Sequence, residues 1–87
     1  MNITKPFLSY GVIYAGANVS GDCSSGTYKV GLWKKRLGVW DFKAYSPTFN
    51  VGGGTSVGVP CSSGTWVANL FRGATEITDS AEVNITC

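Results

Sequence analysis

Six side chains in this sequence form a candidate contact surface: Trp33, Lys34, Lys35, Arg36, Tyr45 and Phe71. Trp33 stands beside Lys34-Lys35-Arg36, which carries three of the seven basic residues. An outward indole next to clustered cations has three chemistries open to it. Flat aromatic faces stack on sugar rings or anchor a protein contact. A cationic, Trp-containing amphipathic stretch such as 32–37 favours anionic lipid interfaces. A constrained loop, Arg36-Leu37-Gly38 or Ser46-Pro47-Thr48, suits the cleft of a secreted hydrolase as an inhibitor. The competing explanation is ordinary surface packing, because apolar atoms cover much of any protein surface.

Catalysis finds little to work with. The chain has no histidine, which removes Ser-His-Asp and Cys-His nucleophilic machinery. Three cysteines without histidine do not supply the four close ligands of a structural zinc site. The five carboxylates are Asp22, Asp41, Glu76, Asp79 and Glu82, all at turns or expected outward positions. A glycosidase needs two of them about 5–10 Å apart in a cleft. Gly52-Gly53-Gly54 lacks the Lys-Ser/Thr and following helix of a phosphate loop. The expectation is therefore no enzyme, no cofactor and no metal. A net charge of +2 gives no reason to expect a nucleic-acid partner.

Only 14% of the residues are charged, and Ser, Thr and Gly are abundant. With a cysteine as the last residue, this composition points to an exported, extracellular protein. Three cysteines allow one internal disulfide. Cys61–Cys87 is favoured, because a last hairpin turning near residues 73–75 folds Cys87 back to the level of Cys61. Cys23–Cys61 is the alternative; an up-and-down strand order would set the starts of the two repeated strands and the end of the last strand near one end of the sandwich. The odd thiol would be buried, or would link two chains, so the state is monomer or disulfide-linked dimer. Asn2, Asn18 and Asn84 begin sequons that a eukaryotic secretory route could glycosylate.

The elements that must position these residues read as short strands. Tyr28, Val30 and Leu32 alternate with Lys29, Gly31 and Trp33. In the return arm Trp40, Phe42 and Ala44 alternate with Asp41, Lys43 and Tyr45. Pairing Leu32 with Phe42 and Val30 with Ala44 leaves the three-residue loop Arg36-Leu37-Gly38, with Gly38 in the left-handed position. That register points Trp33 away from the core, across from Asp41. Cys23-Ser24-Ser25-Gly26-Thr27-Tyr28 returns 38 positions later as Cys61-Ser62-Ser63-Gly64-Thr65-Trp66, and Leu32-Trp33 as Leu70-Phe71. The second copy should bury Trp66, Ala68 and Leu70. Residues 7–15 read as one strand with Leu8, Tyr10, Val12 and Tyr14 on its apolar face. Thr55, Val57 and Val59 form another, and Ile77, Ala81, Val83 and Ile85 the inner face of the last.

No stretch holds a period of 3.6, so no helix is expected. The chain of 87 residues predicts one all-β domain, residues 1–87. Its form would be a small antiparallel β-sandwich of about seven strands. An immunoglobulin-like arrangement would accommodate this order, with Trp40 in a central strand. The likeness is one of architecture: Cys23 and Cys61 precede their strands, and Val59 stands where antibody-type domains place a tyrosine. The function expected is a small secreted, non-catalytic binding module. Its ligand would be a protein or carbohydrate on the cell exterior, met by the exposed aromatics and the basic hairpin tip. Defence at an anionic membrane surface, antimicrobial or toxin-like, and inhibition of a secreted hydrolase are the alternatives.

Overall fold

A computed structural model describes residues 2–21, 25–36 and 38–87, Arg36 through its backbone alone. Asp22, Cys23, Leu37 and the Arg36 side chain, all used above, lie outside the described residues. The strands are β1 (Asn2–Ile3), β2 (Phe7–Ser9), β3 (Val12–Asn18), β4 (Thr27–Arg36) and β5 (Val39–Tyr45). They continue with β6 (Phe49–Asn50), β7 (Gly54–Pro60), β8 (Gly64–Arg72), β9 (Thr75–Asp79) and β10 (Val83–Ile85). Two antiparallel sheets pack together as a small β-sandwich, with no helix among the described residues. In the four-stranded sheet, β3 lies between β7 on one side and β1 and β2 on the other. In the six-stranded sheet the order is β10-β8-β4-β5, with β9 also along β8 and β6 along β4.

The core forms where period-two faces meet. Ile13, Ala15 and Val57 come from the smaller sheet, and Tyr28, Val30, Leu32, Trp66, Ala68 and Leu70 from the larger. Each fully buried aliphatic side chain contributes about 1.5–3 kcal/mol. The inner faces expected for β4, β7 and β8 are therefore those observed.

The two copies of the repeat are β4 and β8, antiparallel neighbours at the centre of one sheet. Val30 faces Leu70, Gly31 faces Asn69 and Leu32 faces Ala68. Because Asn69 is the repeat equivalent of Gly31, the copies are related by a local twofold through that pair. The same symmetry recurs at the strand ends. Gly26 and Gly64 have φ of 143° and 154°, and a Cβ on either would lie 2.8 Å from the other copy's cation, Arg72 or Lys34. Arg72 Nε donates to Ser25 O, and Lys34 Nζ to Ser62 Oγ. The glycine at the start of each repeat strand thus leaves room for the long side chain of the opposite strand.

This pairing corrects one expectation. Antiparallel neighbours start at opposite ends of a sheet, so the starts of β4 and β8 are not together. Cys61 bonds to Cys87, at a Cα–Cα distance of 6.0 Å. The favoured disulfide is the one formed, and it closes β8 and β10 at one end.

Three further corrections come from backbone geometry. Residues 7–15 are not one strand: Tyr10 and Gly11, with φ of 48° and 76°, make a two-residue turn between β2 and β3. Positive φ at both centres matches the twist of a tight hairpin. The buried face of β3 is then Ile13 and Ala15, not Val12 and Tyr14. The β4–β5 register shifts between Leu32 and Trp33, pairing Leu32 with Ala44 but Trp33 with Phe42. Lys43 is the extra residue, and the bulge turns Phe42 and Trp40 to the outer face. It also moves Asp41 opposite Lys34 and pairs Arg36 with Val39. Trp40 lies in β5, which pairs with β4 alone, so it is not in a central strand. Finally, the last strand is two strands. Ser80 bridges them by accepting from Ala68 N and donating to Ala68 O, leaving Ile77 and Ala81 exposed.

Leu32→Ala and Leu70→Ala should each cost about 2–5 kcal/mol in urea unfolding, because both leave a cavity between the sheets. Ile77→Ala should cost under about 1 kcal/mol. Equal losses at Leu70 and Ile77 would contradict the faces assigned to β8 and β9.

Candidate functional site

The outer face of the six-stranded sheet carries the side chains that the core does not use. On β4 these are Lys29, Gly31, Trp33 and Lys35, and on β8 Val67, Asn69 and Phe71. Two bulges decide what flanks them. One is the Lys43 bulge of β5. The other lies between Leu70 and Phe71 in the β8–β9 pairing, where Phe71 meets Glu76 and Ile77 is the extra residue. These positions are equivalent under the repeat. A bulge lets residues three apart share a face. In one half this brings Phe42 and Tyr45 together; in the other it brings Glu76 and Asp79 together.

The first half is aromatic. Ring centroids lie 5.2 Å apart for Trp33–Phe42, 4.4 Å for Phe42–Tyr45 and 5.7 Å for Tyr45–Phe71. The four rings form an unbroken row across three strands. Gly31 is its floor: a Cβ there would lie 3.0 Å from Phe71 Cε2, 3.1 Å from Trp33 Nε1 and 3.4 Å from Tyr45 Cε1. Phe42 and Tyr45 remain 43% and 45% exposed, so both residues stay accessible from solvent. Lysines sit on the same surface. Lys29 Nζ is 3.9 Å from the Tyr45 ring centre, and Lys35 Nζ is 5.8 Å from that of Trp40. Both are cation–π distances.

The second half is acidic. Asn69, only 7% exposed, donates through Nδ2 to Glu76 Oε1 and, at 2.9 Å, to Asp79 Oδ1. Its Oδ1 is buried without a partner, as is the Nε1 of Trp33. The hydrogen bond to Asp79 holds the Glu76 carboxyl above its ordinary value of 4.5; desolvation and the Asp79 charge add to this, and Asn69 opposes it. Between the halves lies a cleft of ≈ 380 Å³, bounded by Trp33, Trp40, Val67, Asn69, Glu76, Asp79, Ser80 and Glu82. This falls within the usual range for small-ligand sites.

The structure thus brings together Trp33, Tyr45 and Phe71 on one face. It separates Lys34, whose ammonium is engaged at Ser62 on the sheet's other side, and leaves Lys35 over Trp40. In the second proposed loop, Ser46 is buried and its Oγ accepts from Val30 N at 2.8 Å. Sequence reasoning missed Phe42, Trp40, Gly31 and the group Asn69, Glu76 and Asp79. The 38-residue offset held a signal for the last group, because it matches Asn69 to Gly31 at the centre of the aromatic row.

Compared with protein-family models, with curated proteins and with solved structures, the chain matches none.

Two measurements check this geometry. Gly31→Val should shift tryptophan emission and cost about 1–3 kcal/mol by displacing the rings, and unchanged emission would contradict the row. An NMR titration should place the Glu76 carboxyl midpoint above 4.5, falling when Asp79 is replaced by Asn. Since folding raises this pKa, the ionised pair opposes folding above the midpoint, and that opposition is relieved as pH falls through it. A midpoint at or below 4.5 would break the pairing of Glu76 with Asp79.

Proposed function

We propose that this protein is a small, non-catalytic binding module whose ligand, a carbohydrate, lies across the outer face of the six-stranded sheet. The observation that carries this reading is the continuous row Trp33, Phe42, Tyr45 and Phe71. The negative face of an aromatic ring attracts the weakly positive C–H groups on the flat side of a sugar ring. Neighbouring polar groups give hydroxyls their partners, and Asn69, Asp79, Ser80 and Glu82 line the adjoining cleft. The sheet sets the rings in place before the ligand arrives, with interplanar angles of 68°, 45° and 89° along the row, which lowers the entropy lost on binding.

The setting is extracellular. The Cys61–Cys87 disulfide is compatible with an oxidising compartment. Carbohydrate binding is preferred to action at anionic membranes because the Lys34 ammonium is held at Ser62, away from the face that carries Trp33, so the cations at the hairpin tip do not all lie beside the rings.

Titrating tryptophan emission with soluble hexasaccharides of different backbones tests the reading. At least one should give a saturable change, and Phe42→Ala or Tyr45→Ala should weaken it by about 3- to 10-fold. No response from any hexasaccharide would overturn the proposal.

A further inference from the structure

We propose that the glycan is an acidic one, whose carboxylate or sulfate groups meet Lys29 and Lys35, the two ammoniums that bracket the aromatic rings. The inference rests on the carbohydrate reading and names the class of sugar.

The outward column of β4 runs Lys29, Gly31, Trp33, Lys35. Across from it on β5, Tyr45 pairs with Gly31, Phe42 with Trp33 and Trp40 with Lys35. Rings therefore fill the middle of a strip whose two ends are lysines. From position 29 to position 35 an extended strand spans about 20 Å, a length suited to a chain of several sugars. Each ammonium is held by ring faces. Lys29 Nζ lies 3.9 Å from the centre of Tyr45 and 5.9 Å from that of Phe71, and Lys35 Nζ lies 5.8 Å from that of Trp40. A ring attracts a cation without neutralising it. Among the described residues no carboxylate pairs with either lysine, so both charges stay available to a ligand.

The position of Lys29 decides between neutral and acidic sugars. Its ammonium covers one face of Tyr45, so a ligand arriving over that face meets a cation rather than a ring. A neutral sugar forfeits stacking there, whereas an anionic group gains a charge-assisted hydrogen bond. Phe42, exposed between the two lysines, supplies the ring on which the sugar itself lies. The remaining charges set the course of the chain. Lys34, the third lysine of β4, is engaged at Ser62 on the sheet's other side. Glu76 and Asp79, held together by Asn69 on the β8–β9 half, repel an acidic chain. The strip along β4 and β5 is what they leave to it. A polyanion without sugar rings would meet the lysines and leave Phe42 unused.

The test compares four hexamers by calorimetry at about pH 7 and low salt, where carboxylates and lysines are both charged. They are cellohexaose, its counterpart with a carboxylate at every C6, its 6-sulfated counterpart and hexaglutamate. At least one acidic sugar should bind about fivefold tighter than cellohexaose, and the tighter of the two tells carboxylate from sulfate. That ratio should fall towards one in Lys29→Gln/Lys35→Gln, and also in about 1 M salt, where exposed charges are screened. Lys5→Gln, in the link between β1 and β2 of the other sheet, should leave it unchanged. Near-UV circular dichroism checks that the double variant is folded; if it is not, Lys35→Gln and the salt comparison decide. Cellohexaose binding as tightly as both acidic sugars would overturn the lysine site and leave the glycan face standing. No binding of any sugar, here or among the hexasaccharides of other backbones, would overturn both. Hexaglutamate binding as tightly as the acidic sugars would assign the strip to acidic peptides and overturn the proposal.

Discussion

Gly31 and Asn69 face each other at the centre of the six-stranded sheet, and the pairing of β4 with β8 about them constrains the rest. It fixes which residues of both strands enter the core, because a slip by one position would turn every side chain over. It places the two copies of the repeat in one sheet, related by a local twofold. It also gives the outer face a centre where one copy has no side chain and the other has an amide. The large sheet is built around this contact; the smaller sheet covers its inner side.

Symmetry of backbone and asymmetry of side chain together explain the outer face. Each repeat strand is followed by a return strand with a bulge at the equivalent place. Each bulge brings two residues three apart to the outside. With Phe42 and Tyr45 the result is a row of rings over Gly31. With Glu76 and Asp79 it is a carboxyl pair held by Asn69. One scaffold therefore presents an apolar half and an acidic half side by side, with a cleft where they meet. The bulges contribute little to the core, and their consequence lies in what they aim outward.

Much of this was legible in residues 27–36 and 64–72. There Tyr28, Val30 and Leu32, and Trp66, Ala68 and Leu70, are apolar at every second position, so the inner faces follow from period two. The disulfide was legible because the last hairpin brings Cys87 back towards Cys61. The return strands were not. Lys43 and Ile77 carry no local mark of a bulge, and alternation read across an unseen extra residue inverts everything beyond it. Phe42 and Trp40 were assigned inward for that reason. Tyr10-Gly11 escaped notice because tyrosine seldom adopts positive φ. The acidic half was hidden twice, since Glu76 and Asp79 become neighbours only through a bulge and Asn69 looked like an ordinary outward polar residue.

The account turns on Gly31 lying beneath the aromatic row, opposite Asn69. A NOESY spectrum of the labelled protein tests this directly, because Gly31 has two α-protons and no side chain to confuse the assignment. The account predicts contacts from those protons to the rings of Phe71 and Tyr45 and to the indole N–H of Trp33. Contacts from Gly31 to Ile13 or Val57 instead would place it in the core and contradict the arrangement.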